Sequence, residues 1–223
     1  MIEEIQKHFV DNKFVVIRNF LSVETCVILY QYTMLKNQRE SHKYTYFKDL
    51  YNKSWDGEWG DGQVDNSYAL YGDPLMDGIL GLSTEQLSKF TGLELIPQNT
   101  YWRFYERGHS MSRHLDRNSC EISTTICLGY NLGDLDTNMY PNYSWPLWVV
   151  DPEGKEIPIS LSPGDMIIYR GCEVEHWRDE CKSMNHAQMF MHYNVQSSEK
   201  NIAGYWDGRP ILGIPHPEKM YSK

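Results

Sequence analysis

The chain has 223 residues, and thirty acidic against twenty-one basic side chains give it a formal charge of -9. This length suits one domain with a full hydrophobic core, so we predict a single unit over 1–223. The negative charge repels a phosphate backbone, so no nucleic-acid partner is expected. The N-terminus carries acids where a secretory signal carries positive charge, and no apolar run reaches the roughly 18 residues that span a bilayer. We therefore expect a cytoplasmic protein without membrane contact.

The N-terminal region is predicted to alternate between helix and strand. Apolar side chains recur at helical spacing over residues 2–9, and residues 14–21 form a β-branched run typical of a strand. Ser22 is a residue type that caps helices, so a second helix is predicted to begin there and to extend to Met34.

Residues 41–72 are dense in Tyr, Trp, Gly and Asp and show no sustained period, which predicts a long structured loop. Long loops in compact domains are usually functional, and we interpret this one as a substrate-facing lid. A further helix is predicted to begin at Asp73-Pro74 and to end at Thr91-Gly92, with a break near Gly78 and Gly81.

From residue 93 onward the pattern changes to short strands separated by turns, of which Ser162-Pro163-Gly164-Asp165 is the clearest. This spacing indicates an antiparallel sandwich or barrel, so the predicted fold is an all-β core over 93–196 with helices packed outside it. Residues 197–223 are predicted to form an extended tail, strapped over the surface by its prolines.

Three residues form a candidate metal site. In an extended chain, residues i and i+2 share a face, so His114 and Asp116 can reach one ion. His176 follows a strand-like segment and supplies a third ligand. Two imidazoles and one carboxylate make the facial triad of mononuclear iron, which leaves three coordination positions open. The cysteines do not lie at ligand spacing, which disfavours zinc or iron-sulfur chemistry.

At these residues the chain resembles the Fe(II)/2-oxoglutarate-dependent oxygenases, in particular the prolyl 4-hydroxylase-like branch. The motif of that branch runs Y-x-x-G, then H-x-D, then a distal His. Here it is represented by Tyr105 and Gly108, by His114 and Asp116, and by His176. The later segments EHWRDE and HAQMFMHYN are similar to members common in phage and bacteria.

The resemblance implies a double-stranded β-helix, a jelly roll of the cupin-like type, with Fe(II) as cofactor and 2-oxoglutarate and O2 as cosubstrates. It implies hydroxylation of a C-H bond with succinate and CO2 as coproducts. The substrate is expected to be a peptidyl group, such as a prolyl residue, or a free small molecule. The sequence does not choose between these substrates, and it does not indicate an oligomeric state.

The cosubstrate contacts depart from the family pattern. A Lys or Arg about ten residues beyond the distal His grips the 5-carboxylate in the family, but His186 stands at that position here. A buried carboxylate needs a charge-assisted partner, so we assign Arg178 to it, with His186 and Gln188 as helpers and Arg103 as the fallback. The resemblance adds the hydroxyl of Tyr105 as a donor. Two further candidates on the next strand are Thr125 and Cys127.

Two other classes of function stay open. A cupin-type or extradiol-type dioxygenase uses the same triad without 2-oxoglutarate, and the missing basic residue at position 186 leaves room for it. A non-catalytic jelly-roll binding module is the second alternative, and the intact triad argues against it. The remaining histidines are interpreted as ordinary surface or core residues: His8, His42, His109, His192 and His216.

Overall fold

The computed structural model of the protein describes residues 2–135 and 143–220. Within these ranges, no helix is long and apolar enough to cross a membrane. The helices are α1 (Ile2–Asn12), α2 (Val23–Tyr46), α3 (Lys53–Asp56), α4 (Pro74–Thr91) and α5 (Pro217–Met220). The strands are β1 (Phe14–Ile17), β2 (Glu58–Trp59), β3 (Tyr68–Tyr71), β4 (Leu95–Glu106), β5 (Met111–His114), β6 (Ile122–Asn131), β7 (Leu147–Val150), β8 (Glu156–Ile159), β9 (Met166–Arg170), β10 (His176–Arg178) and β11 (Asn185–Val195).

Two antiparallel sheets face each other in the core. The large sheet has the order β1-β9-β6-β11-β4-β3-β2, and the small sheet has the order β5-β10-β7-β8. The eight strands from β4 to β11 are divided between the two sheets, with β4, β6, β9 and β11 in the large sheet and the other four in the small sheet. This arrangement is a double-stranded β-helix, so the predicted all-β core with flanking helices is confirmed.

The two faces of β11 show why its sequence forms a central strand. Met189 and Met191 point outward and pack in one hydrophobic cluster with Leu80 and Leu87 of α4. Phe190 belongs to the second cluster, which fills the space between the sheets. This alternation buries both faces of the strand, and each fully buried apolar side chain contributes about 1.5–3 kcal/mol.

The predicted loop over 41–72 is partly wrong. Helix α2 is capped by Ser22, whose Oγ accepts from the backbone N–H of Thr25 at 3.2 Å, but it continues to Tyr46. Strand β3 then joins the large sheet beside β4. The last turns of α2 are largely exposed and carry no apolar stripe, so no helical period was visible there.

Helix α4 runs without the predicted break at Gly78 and Gly81. Asp73 caps its first turn by accepting from the N–H of Leu75 at 3.0 Å, and Gly92 ends it in the left-handed region with φ 71°. Each interior glycine costs roughly 1 kcal/mol relative to Ala, and the apolar face buried against the sheet outweighs that cost.

The C-terminal segment, predicted to be strapped over the surface by its prolines, contains a buried ion pair that the sequence analysis does not predict. Arg209 is fully buried and forms an ion pair with Asp77 of α4, with Nη1 2.7 Å from Oδ2. Its guanidinium also donates to the carbonyls of Gln98 and Ile214. Buried charge anchors this segment, and apolar patterning gives no sign of such a contact.

Candidate metal centre

The predicted metal ligands come from two neighbouring strands of the small sheet. His114 ends β5 and His176 begins β10, and these two residues are partners in the antiparallel register. Asp116 lies just beyond β5, where its Oδ1 is 3.7 Å from Nε2 of His114 and 3.6 Å from Nε2 of His176. The structure therefore brings all three predicted ligands together.

The backbone orients both imidazoles in the same way. Nδ1 of His114 lies 2.8 Å from the carbonyl oxygen of Ser112, and Nδ1 of His176 lies 2.9 Å from that of Val174. A carbonyl only accepts, so Nδ1 carries the proton in both rings and the lone pair is on Nε2, the atom nearest Asp116. Burial lowers the pKa of His176, which keeps this ring neutral.

Asp116 is held on two sides. Its backbone N–H donates to the carbonyl of Gly171 at 2.9 Å, and its Oδ2 accepts from the hydroxyl of Ser123 at 2.6 Å. A Cβ at Gly171 would overlap Oδ2 and the carbonyl of Cys120. The carboxylate is therefore fixed with Oδ1 directed toward the two histidines.

These residues fit a mononuclear iron site. The three ligand atoms lie within 4.8 Å of one another. Bonds of roughly 2.1 Å at right angles place neighbouring ligand atoms roughly 3 Å apart, so a small contraction brings the set onto one ion. Neutral imidazole and carboxylate are ligands that Fe(II) accepts, and three ligands on one face leave positions for other molecules.

A cavity of about 500 Å³ opens from this cluster. Leu147 and Phe190 line it from the interior of the barrel, and a polar rim surrounds them. His192 and His216 line it as well, although both are interpreted from sequence as ordinary residues. A cavity of this size, lined by apolar side chains together with many polar and titratable groups, lies within the range of small-molecule sites.

The segment predicted to be a lid contributes three of the lining residues, Asp61, Gln63 and Tyr71. Asp61 accepts hydrogen bonds from the hydroxyl of Tyr101 at 2.6 Å and from the guanidinium of buried Arg103. Burial raises the pKa of Asp61, but the charge of Arg103 and the donated hydrogen bonds outweigh burial and hold it at about 2. Gln63 donates to Nε2 of His114 at 2.9 Å, so this segment reaches the metal ligands.

Arg178 lies inside the barrel with 1% of its surface exposed. Its Nη1 donates to the carbonyl of Trp145 at 2.7 Å, and its guanidinium lies 4.7 Å from the centre of the Trp145 ring. Its Nε and Nη2 have no hydrogen-bond partner within residues 2–135 and 143–220. A buried guanidinium with two unpaired donors is costly, and an anion is the partner that satisfies it.

The other predicted cosubstrate residues surround Arg178 behind the cavity wall. Nε2 of His186 lies 2.7 Å from the amide nitrogen of Gln188, and the oxygen of that amide accepts from Thr125 at 3.0 Å. Burial lowers the pKa of His186 well below its usual value, and Arg178 lowers it further. Tyr105 is fully buried nearby, and its hydroxyl faces the sulfur of Met111 at 3.9 Å. The lining of the cavity described above includes neither Arg178 nor these helpers.

No family model matches the sequence, and no curated protein is similar to it. The structure is similar to a prolyl-4-hydroxylase of Pseudomonas putida, with a TM-score of 0.63 and 15% identity over 88% of this chain and 100% of that one. It is also similar to EctD from S. alaskensis with bound Fe, with a TM-score of 0.61 and 12% identity over 87% and 76% of the two chains. A third similar structure is the viral collagen prolyl hydroxylase of Paramecium Bursaria Chlorella virus-1 in its 2OG complex. Its TM-score is 0.51, with 13% identity over 82% of this chain and 96% of that one. The resemblance to this class is thus confirmed at the level of the fold.

Sequence reasoning missed the residues that position the metal ligands. Ser123 bonds Asp116, and Gly171 leaves the space that Asp116 occupies. His192 shares the inward face of β11 with Gln188 and Phe190, and period-two alternation along this strand could have found it. Ser123 and Gly171 gave no such signal, because their role depends on contacts between distant strands.

Proposed function

We propose that the chain is an Fe(II)- and 2-oxoglutarate-dependent dioxygenase that hydroxylates a C-H bond of a peptidyl substrate, such as a prolyl residue, or of a small molecule. One observation carries this proposal: three ligand atoms of the facial type converge beside a fully buried guanidinium, Arg178, with two unpaired donors. The neighbours with bound Fe and with 2OG support the choice of metal and cosubstrate. The choice of a prolyl residue as a candidate substrate follows the prolyl hydroxylases among these similar structures.

His114, Asp116 and His176 would hold the iron. When bound, iron with 2-oxoglutarate and O2 supplies the oxidising power, with succinate and CO2 as coproducts. The two Nε2 atoms and Oδ1 offer lone pairs, because Nδ1 of each ring donates its proton to a backbone carbonyl.

Arg178 would bind the 5-carboxylate of 2-oxoglutarate. It lies two residues from His176 on β10, a separation of roughly 6–7 Å along a strand, which suits a five-carbon dicarboxylate that reaches from the metal to the guanidinium. Its unpaired Nε and Nη2 form an edge that a carboxylate can bind with two hydrogen bonds. Side-chain movement is needed to extend the cavity to this edge.

His186 cannot replace the basic residue of the family pattern. Burial and the charge of Arg178 keep its ring neutral, so it offers a hydrogen bond and no charge. Its Nδ1 has no partner among the described residues, and with Gln188 and Tyr105 it can complete the polar surroundings of a carboxylate. The cationic partner of the cosubstrate is therefore assigned to Arg178.

The test is an anaerobic titration of the Fe(II)-loaded protein with 2-oxoglutarate, followed through the weak visible charge-transfer band of the chelate, together with assays for succinate. Arg178→Met is expected to weaken 2-oxoglutarate binding by about 100-fold or more, since an uncompensated buried carboxylate costs several kcal/mol. His176→Ala should abolish the band. Arg113→Met is the matched control, because Arg113 is exposed and pairs with Glu156 and Glu175.

The alternatives make different predictions in the same titration. Iron binding without a band would contradict the use of 2-oxoglutarate and favour a cupin-type dioxygenase. Absence of iron binding would leave the non-catalytic binding module. Weakening by Arg178→Met no greater than by Arg113→Met would remove Arg178 from the cosubstrate site.

A further inference from the structure

A hydrogen-bond chain runs behind Asp116, away from the two histidines. Oγ of Ser123 lies 2.6 Å from Oδ2 of Asp116 and 3.0 Å from Nδ1 of His192. Ser123 and His192 face each other across β6 and β11, where they are register partners. The chain therefore links the metal-ligating carboxylate to the large sheet, which is the opposite wall of the barrel.

The chemistry of the carboxylate, the hydroxyl and the imidazole determines which atom donates in each hydrogen bond. The Ser123 hydroxyl has two acceptors within reach, Oδ2 of Asp116 at 2.6 Å and the carbonyl oxygen of Cys120 at 3.1 Å, and the shorter and charged partner, Asp116, takes its proton. The hydroxyl oxygen can then only accept from Nδ1 of His192, which must carry the proton. The two contacts of this hydrogen-bond chain, at 2.6 and 3.0 Å, lie within the usual range of hydrogen bonds.

We propose that Ser123 and His192 are positioning residues that hold Asp116 as a ligand through one oxygen only. The inference rests on the proposed function, because it assigns these residues a role toward the metal. Oδ2 is committed to Ser123, while Oδ1 alone faces the two histidine Nε2 atoms at 3.6 and 3.7 Å.

The consequence concerns the number of open coordination positions. A carboxylate that binds through both oxygens takes two positions, and a facial triad would then leave two open instead of three. Rotation of Asp116 into that mode requires breaking the Ser123 bond in a buried environment, where an unmade hydrogen bond costs about 1–3 kcal/mol. The backbone of Gly171 and the carbonyl of Cys120 close the space on the other side.

His192 also lines the cavity, so its removal would alter two things at once. Two substitutions of His192, by asparagine and by glutamine, separate the hydrogen bond to Ser123 from the contribution to the cavity lining. The side-chain nitrogen of Asn occupies nearly the position of Nδ1 in a histidine, whereas that of Gln corresponds to Nε2. His192→Asn can therefore keep the donor to Ser123, while His192→Gln keeps a polar group at the cavity and loses that donor.

The experiment measures binding of Co(II) alone to the metal-free protein, by titration and by the intensity of the Co(II) d–d absorption, which depends on coordination number. The variants are Ser123→Ala, His192→Gln and His192→Asn, with Ser144→Ala as a control at an exposed serine. Ser123→Ala and His192→Gln should weaken Co(II) binding by about 10- to 100-fold and change the absorption. His192→Asn and Ser144→Ala should stay within about threefold of the wild type.

The outcomes separate this inference from the proposed function. Equal affinity and an equal spectrum for wild type and His192→Gln would overturn the inference alone. Equal losses in His192→Asn and His192→Gln would also overturn it, since ring packing would then explain both. Failure of the wild type to bind Co(II) would overturn the proposed function and the inference together. Thermal melting of each metal-free variant establishes that the chain is folded, and the asparagine and glutamine pair tests the inference even if Ser123→Ala unfolds.

Discussion

Gly171 and Asp116 occupy adjoining space: the carbonyl of Gly171 accepts the backbone N–H of Asp116 at 2.9 Å, and a Cβ on Gly171 would overlap the Oδ2 of Asp116. The glycine turns the chain from β9 toward His176 and at the same time leaves room for the carboxylate. A side chain at this position must therefore displace either the metal ligand or its neighbours.

Gly171→Ala is predicted to weaken Co(II) binding by 10-fold or more, about 1.4 kcal/mol, because forced contacts in a packed region cost about 1–3 kcal/mol and here fall on a ligand. Gly78→Ala is the matched control. Gly78 is exposed in α4 with nothing near its added Cβ, and alanine there should raise the free energy of unfolding by up to about 1 kcal/mol. Co(II) affinity and urea unfolding of both variants check the prediction. An unchanged Co(II) affinity in Gly171→Ala would contradict the prediction, because the Asp116 carboxylate would then tolerate a Cβ beside it.

Arg178→Met is predicted to raise the stability of the protein without cosubstrate. Arg178 is a fully buried charge with two unpaired donors, and burial lowers its pKa. Replacement of buried ionic groups by an apolar side chain of similar volume is often stabilising by about 1–4 kcal/mol. Urea unfolding at neutral pH measures the effect. A clear loss of stability would mean that Arg178 supports the fold and would weaken its assignment to a ligand.

Acid is predicted to destabilise the protein in part through His192. Burial lowers the pKa of His192 from its usual 6.5 to about 4, so between these values the unfolded chain binds a proton that the folded chain does not. Stability from this residue is present above pH 6.5 and is lost as the pH falls toward 4, by at most about 1.4 kcal/mol per pH unit. His192→Asn should make the decline shallower. Parallel slopes for wild type and variant in urea melts across this range would contradict the prediction.

The ion pair of Arg209 with Asp77 is predicted to be a strong anchor of the C-terminal segment. Both side chains are fully buried, and removal of one partner leaves the other charge without compensation. Arg209→Met should lower the free energy of unfolding by about 3–5 kcal/mol. The double variant with Asp77→Asn should recover part of this loss. Additive losses in the double-variant cycle would show that the pair is not coupled.

The sequence was sufficient for the parts of the site that depend on local spacing. His114 and Asp116 are two residues apart, and His176 follows a strand, so both could be found by alternation and residue type. The outward and inward faces of β4 to β11 likewise follow from a period of two. These features need no knowledge of how the strands pair.

Other parts depend on contacts that no local pattern carries. Ser123 reaches Asp116 across the barrel, and Arg209 reaches Asp77 across 132 positions of chain. The end of α2 gave no apolar period, because its contacts are made by aromatic and charged side chains such as Tyr44, which packs on Tyr51 and Trp59. The burial of a charged residue in particular could not be predicted from the sequence, since such a residue is expected at the surface until its partner is known.

The burial of Arg209 has a consequence for the order in which the protein can mature. Asp207, two residues before Arg209, accepts hydrogen bonds from Tyr71, Asn99 and Arg117, and this segment contributes His216 to the cavity. The barrel strands are all synthesised before this segment, yet until it arrives Asp77 lacks the cation of Arg209 and the cavity lacks the lining residues His216 and Glu218. On the ribosome, a nascent chain that already contains all three candidate metal ligands would hold them in an incomplete cavity that is open to solvent. Competence for metal and substrate would then be a late step of biosynthesis, set by a segment that carries none of the ligands.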